Sequence, residues 1–397
     1  MSIHHQPLQS LKEGRWFKLI CGASYQHLPA IRNLALAYGL AGADCIDVAA
    51  DPAVVEAVRE AFQVISHLRQ TAELVPSTET YLPAESPLLM VSFSDGEDPH
   101  FRKAVFDAAT CPIDCPRPCE AICPAAAIAF NTTSPGVIED RCYGCGRCLP
   151  VCPIQHIDTV TRATAIAAIA PQLLYQVDAV ELHTQVGRYD AFMSLWAAIQ
   201  PYLAHLKLIS VSCPGDDDVI DYLWQIHKGI QPISIPVIWQ TDGRPMSGDI
   251  GKGTTHATIK FAQSMLQAGP PGFVQLAGGT NAHTVAKLSD LQPVASFSHG
   301  FTRDPGSAQP IFGGIAYGSY ARHLMSPLLD KLSLTESEFA SAFENHPRAS
   351  RHAINNHLEA FPAYLTQAVQ IARSLVSPLK TVATSSHSTD SLQTTGI

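Results

Sequence analysis

Short apolar runs alternate with longer amphipathic ones along most of the chain. "WFKLICGAS" and "ADCIDVAA" are strand-like runs ending in small or polar residues. The stretches that follow them, "HLPAIRNLALAYGL" and "PAVVEAVREAFQVISHL", carry apolar residues at helical spacing. "PLLMVSFSD" predicts a third strand. The pattern then breaks off over residues 100–160 and resumes with "ATAIAAIAPQLLYQ", which reads as the helix belonging after that strand. "DAVELHTQVG", "LKLISVSCPG", "IPVIWQTDG" and "GFVQLAGGT" continue the strands, with helical segments such as "VIDYLWQIHKG" and "ATIKFAQSMLQAG" between them. A last unit, "IFGGIAYGSYARHLMSPLLDKL", brings the predicted strands to eight.

Strand–helix units of roughly 30 residues repeated to eight, with no long linker between them, predict an α/β fold that closes as a (β/α)8 barrel. An open doubly wound α/β sheet is the alternative. The predicted division is a first part of the barrel over 14–99, an inserted module over 100–160, the remainder of the barrel over 161–375 and a flexible tail over 376–397. That tail holds "ATSSHSTDSLQTTGI", rich in Ser and Thr and poor in apolar material. In a barrel, the insert is an enlarged loop after the third strand, on the face where such folds carry their active sites.

Composition narrows the class. Apolar residues make up 46% of the chain and charged ones 15%, which suits large buried parallel strands. The net charge of −9 opposes nonspecific attraction to nucleic acid or to an anionic membrane surface, so neither is an expected partner. The first residues lack a cationic segment followed by an apolar one, and no 18-residue apolar run follows; the expectation is a cytoplasmic protein without membrane insertion. In that reducing compartment, clustered thiols bind metal or do redox chemistry more often than they form disulfides.

The chain has 11 cysteines, and four of them fall within "RCYGCGRCLPVCP", residues 141–153. The spacing Cys142-x2-Cys145-x2-Cys148-x3-Cys152-Pro153 matches the ferredoxin run that wraps a [4Fe–4S] cube, whose fourth cysteine ligates the other cube of a pair. A partner run exists: "CPIDCPRPCEAICP" supplies Cys111, Cys115, Cys119 and Cys123, followed by Pro124. Similar stretches, "AAAI" and "IQHI", come after each Cys-Pro, as a pseudo-symmetric duplication requires. With the ferredoxin cross-over, cluster one takes Cys111, Cys115, Cys119 and Cys152, and cluster two takes Cys123, Cys142, Cys145 and Cys148. The expected cofactors are therefore two [4Fe–4S] clusters in a ferredoxin-like module. Structural zinc is the alternative, but it usually takes its thiolates as two separated pairs. The first run departs from the standard pattern, with three-residue gaps throughout where ferredoxins have two.

Other constellations are less specific. Gly278, Gly279 and Thr280 follow the seventh predicted strand, and Gly318 and Ser319 the eighth; loops at these places bind phosphate in many barrels. They mark either a phosphate or flavin mononucleotide (FMN) pocket or simply tight turns. Glu181, His183 and Gln185 share one side of a strand, either as an inward polar group or against an outer helix. Asp242, Arg244 and Lys252 lie on a glycine-rich loop after the sixth strand, which either closes over a ligand or is merely solvated. Cys21, Cys45 and Cys213 fall in or at the ends of strands and read as small buried hydrophobes. No residue is singled out as catalytic.

The stretch "WFKLICGASYQHLPAIRNLALAYGLAGADCIDVAADP", the paired cysteine runs and "GGIAYGSYAR" together resemble the cyanobacterial light-dependent period (LdpA) family over residues 14–375. The resemblance implies an iron–sulfur protein that reports cellular redox state, and hence light, to the circadian clock through protein partners of the clock input pathway. It implies no catalytic residue. The runner-up reading is an iron–sulfur oxidoreductase, with or without flavin, that passes single electrons to a ligand in the barrel.

Overall fold

The computed structural model describes residues 6–71, 85–96, 101–123, 125–130, 135–161, 166–244, 251, 253–291, 309–343 and 357–381. In chain order the strands are β1 (Trp16–Gly22), β2 (Cys45–Ala49), β3 (Leu88–Ser94), β4 (Arg102–Val105), β5 (Ile128–Ala129), β6 (Gly136–Val137), β7 (Asp158–Thr161), β8 (Ala179–His183), β9 (Leu208–Pro214), β10 (Val237–Asp242), β11 (Phe273–Ala277) and β12 (Ile311–Tyr317). The helices are α1 (Pro7–Lys12), α2 (Leu28–Ala41), α3 (Pro52–Thr71), α4 (Pro118–Ile122), α5 (Cys148–Val151), α6 (Ile166–Leu173), α7 (Tyr189–Ile199), α8 (Val219–Gly229), α9 (Thr255–Ala268), α10 (Ser319–Phe343) and α11 (Pro362–Thr381).

Eight strands, β1, β2, β3, β8, β9, β10, β11 and β12, pair in parallel and close into a barrel, β12 lying beside β1. This is the (β/α)8-type fold that the eight units predict, and closure rules out the open sheet. Alternation along each strand sorts the side chains. Phe17, Leu19, Ile46, Val48, Val91, Val180, Leu182, Ile209 and Val211 join the core shared with the surrounding helices. Residues in the other phase face inward and form layers. The lowest is apolar, with Leu11 of α1 closing it from below and Trp16, Cys45, Leu88, Met90, Ala179, Leu208 and Ile238 filling it. The inward residues above it are polar: Lys18, Asp47, Glu181, Ser210, Gln240 and Gln275, then Ser92, His183, Ser212 and Asp242, all buried.

β3 pairs directly with β8, Met90 against Ala179, so the chain between them leaves the barrel and returns to the same place. There β4 pairs antiparallel with β7, Arg102 opposite Thr161, as a neck, while β5 and β6 form a second small ribbon. The insert has its own apolar cluster, in which Ala104, Ala127, Ile128 and Ile157 surround Cys119, Cys142 and Cys148.

The carboxyl-terminal end differs from expectation. α11 runs to Thr381, so residues 376–381, assigned to a flexible tail, are helical, and Val376 and Leu379 are buried. Apolar positions recur there at helical spacing, and the Lys380 ammonium reaches under the barrel to the Asp44 carboxylate. The Ser- and Thr-rich remainder, 382–397, lies outside the described residues. Among the described residues no helix is long and apolar enough to cross a membrane.

Candidate functional site

The two halves of the insert repeat one local design. α4 ends at Cys123 and α5 ends at Cys152. Three residues beyond each of these cysteines the chain takes a left-handed conformation, at Ala126 (φ 46°) and Gln155 (φ 52°). The next amide then turns back onto sulfur: Ala127 N–H donates to Cys123 Sγ at 3.2 Å and His156 N–H to Cys152 Sγ at 3.3 Å. A non-glycine residue in that region carries strain of order 1–3 kcal/mol. Between Cys142 and Cys148, Gly144 (φ 68°) and Gly146 (φ 71°) supply the same handedness without a Cβ, so the loop curls around its thiols.

The cysteines gather in two groups. Cys123, Cys142, Cys145 and Cys148 line one cavity, walled further by Ala125, Ala127, Ile128 and Thr159. Burial, and then the charges of Cys145, Cys142 and Cys123, push the Cys148 thiol up to about 12. Cys145 is raised by burial in the same way, with Cys123 and Cys142 as its charged neighbours. The second group is closer to solvent. The Cys111 thiol is raised by burial and by Cys115 and Cys152, and Cys119 by burial with Cys152 and Cys111 among its neighbours. Cys152 differs: burial opposes its ionisation, but amides of His156, Ile154, Ile157 and Gln155 aimed at its sulfur outweigh that and lower it. Among the described residues no three His, Cys, Asp or Glu converge on a single-ion site. Four thiols spread around one cavity fit a polynuclear cationic core that would hold them as thiolates.

The insert is tied to the barrel by named contacts. Lys103, buried, donates to Gln26 Oε1 at 2.8 Å and to the Glu139 carbonyl at 2.6 Å, and Gln26 N–H donates to the Asp140 carbonyl. Tyr143, next to Cys142, packs edge-on against Tyr25 and lies under the Arg322 guanidinium, 4.2 Å from the ring centre. Arg322 in turn donates to the carbonyls of Ile20 and Cys21 at the end of β1.

Tyr143 and Arg322 also border an open cleft at the carboxyl-terminal mouth of the barrel. Gly278, Gly279, Thr280, Gly318, Ser319, Asp242 and Arg244 line it with Glu181 and His183. The structure thus brings together residues that lie far apart in the chain. Gln185 is excluded: β8 ends at His183, the chain turns outward, and Gln185 is exposed. Lys252 lies outside the described residues. Cys21, Cys45 and Cys213 are buried, and burial holds the Cys21 and Cys45 thiols protonated.

Below the cleft runs a buried network that the sequence reading missed in part. Trp16 Nε1 donates to Gln275 (2.7 Å), Gln275 to Gln240 (2.6 Å), and Gln240 to Glu181 (2.9 Å). Lys18 Nζ pairs with Glu181 and lies 3.6 Å from Asp47. His183 Nε2 is 3.2 Å from Glu181, Ser92 donates to Asp47 at 2.8 Å, and Ser212 donates to Asp242. Burial alone would raise Glu181, yet the Lys18 charge and His183 hold it below the usual carboxylate range. Asp47 keeps less of that help, and burial lifts it to about 6. The available signal was a lone charge in an apolar strand, Lys18 in "WFKLICG" and Asp47 in "CIDVA".

Two family profiles match the chain, "Light dependent period A C-terminal domain" over residues 173–378 and "LdpA Fe-S cluster-binding domain" over residues 111–163. A protein of Synechococcus elongatus described as "Light dependent period A" is 49% identical over 375 residues, which is 94% of either chain.

Proposed function

Since the chain belongs to the light-dependent period A family and carries its iron–sulfur cluster-binding domain, we propose that it is a cytoplasmic redox sensor whose ferredoxin-like insert holds two [4Fe–4S] clusters. On this reading Cys123, Cys142, Cys145 and Cys148 hold one cluster and Cys111, Cys115, Cys119 and Cys152 the other. The observation that carries it is the exchange of last cysteines. Cys123 sits with the second run and Cys152 with the first, the cross-over that paired cubes require.

A bound [4Fe–4S] cluster supplies one-electron oxidation and reduction. The chain's own residues supply the rest. Amides of Ala127 and His156 hold sulfur lone pairs, and the more exposed Cys111 group faces the side from which an external donor or acceptor would approach. Tyr143 couples the backbone at Cys142 to Arg322 and so to the end of β1. Protein partners of clock input read the position of the insert against the barrel, a packing change with a distant readout.

The test is anaerobic purification followed by iron and sulfide analysis and electron paramagnetic titration. Two cubes per chain support the proposal; zinc, or no acid-labile sulfide, overturns it. Cys145→Ser should lose or damage one cluster while the barrel stays folded, read as reduced iron with unchanged far-ultraviolet dichroism.

An iron–sulfur oxidoreductase is the second reading, and one observation favours it: the acid, imidazole and guanidinium groups lining the barrel mouth. Flavin bands in the visible spectrum of the purified protein would favour it over the sensor.

A further inference from the structure

The barrel could have been filled by apolar side chains to its top, as its lowest layer is. Instead Asp47, Glu181, His183, Gln240 and Asp242 stand buried at the floor of an open cleft. Burying carboxylates is costly unless each is paired, and the chain spends Lys18, Ser92, Ser210 and Ser212 on pairing them. The fold does not require this arrangement, and the members that line the cleft, Asp47, Ser92, Glu181, His183, Gln240 and Asp242, come from four strands, β2, β3, β8 and β10.

The rim has the opposite character. Arg244 and Arg322 border it, and Gly318, Ser319 and Tyr320 place the start of α10, whose first amides have no acceptor within the helix, on the same side. The glycines after β11 have a packing reason of their own. A Cβ on Gly278 would stand 2.7 Å from the Arg244 carbonyl oxygen, and one on Gly279 would stand 2.9 Å from that of Thr254. Those glycines therefore bring the Arg244 segment against the mouth. The case for a ligand rests on the charges: a cationic rim with main-chain donors over a floor of hydrogen-bonding side chains.

We propose that the barrel mouth binds a small molecule bearing a phosphomonoester, its phosphate at Arg244 and the start of α10 and its polar body over Glu181, His183, Gln240 and Asp242. Floor acids would repel a second anionic group, so the body is uncharged or a hydrogen-bond donor. FMN satisfies this description, as do other phosphorylated metabolites with a polar ring. The inference stands on barrel residues and does not depend on the clusters.

The experiment is calorimetric titration of the full-length protein, prepared anaerobically, with FMN, riboflavin and inorganic phosphate, using chloride at matched ionic strength as control. Iron is assayed in parallel, so failure of the cluster reading shows in that assay and not in the binding. Tight FMN binding that weakens about 10-fold or more for riboflavin supports the proposal and selects a flavin. Phosphate binding without FMN binding supports the phosphate seat and assigns a different body. In either case Arg244→Gln, at an exposed position, and Ser319→Glu should each weaken the phosphate-bearing probe about 10-fold. If neither probe binds, or if binding ignores both substitutions while dichroism reports a folded protein, the proposal is overturned.

Discussion

Lys18 neutralises the interior of the barrel, with Asp47 leaning on it from the adjacent strand β2 and Glu181 from β8 across the barrel. Lys18→Met should therefore leave two buried acids without their ammonium partner, costing about 3–5 kcal/mol in denaturant unfolding. The pH dependence has a sign that can be worked out for each acid. Glu181, depressed when folded, contributes stability above the ordinary carboxylate range that is lost as pH falls through its folded value. Asp47, raised to about 6 from 3.8, does the opposite: its contribution is complete below 3.8 and disappears as pH climbs through about 6. Unfolding free energies of wild type and Asp47→Asn, measured across that window, should converge or cross in the direction of greater relative stability for the variant at the higher pH. Parallel curves would refute the assignment. That the two cysteine runs belong to an iron–sulfur insert was legible in the sequence because their spacing is local. Lys18 and Asp47 were not, because only closure of the ring tells which phase of an apolar strand faces inward. Glu181 and His183 were visible as a polar pair, but Gln185, two residues on, fell past the end of the strand.

Elements tell a similar story of visible periods and hidden turns. The eight strand–helix units are readable from hydrophobic spacing alone, and so is the duplication "AAAI" and "IQHI" after each Cys-Pro. The left-handed residues Ala126 and Gln155 are not readable, because neither is a glycine; their conformation is imposed by the amide-to-sulfur bonds that follow them. Gly278 shows how strictly two loops of the mouth fit. With φ at 62° and a Cβ destined for 2.7 Å from main chain, Gly278→Val should lower stability by about 1–3 kcal/mol. Gly253→Ala provides the comparison, since at φ 91° its added methyl meets nothing within 4 Å. Chemical denaturation of the two variants should show the larger loss at Gly278.

At the scale of the molecule, α11 fastens the barrel from outside. Truncation after Leu375 removes the buried Val376 and Leu379 and the Lys380 pairing with Asp44. It should cost about 3 kcal/mol or more, each fully buried aliphatic side chain being worth about 1.5–3 kcal/mol, and thermal unfolding of the shortened protein would reveal it. This anchor was read as tail because the boundary was drawn inside a helical period, ahead of the Ser- and Thr-rich run. The insert hangs differently. Its neck is the four-rung pairing of β4 with β7, standing where β3 and β8 are already joined to each other. Tension applied between insert and barrel would accordingly unzip those rungs and peel Tyr143 from Arg322 before any stave of the ring parted. With β3 and β8 paired beneath it, the ring that carries the insert does not rely on the insert to close.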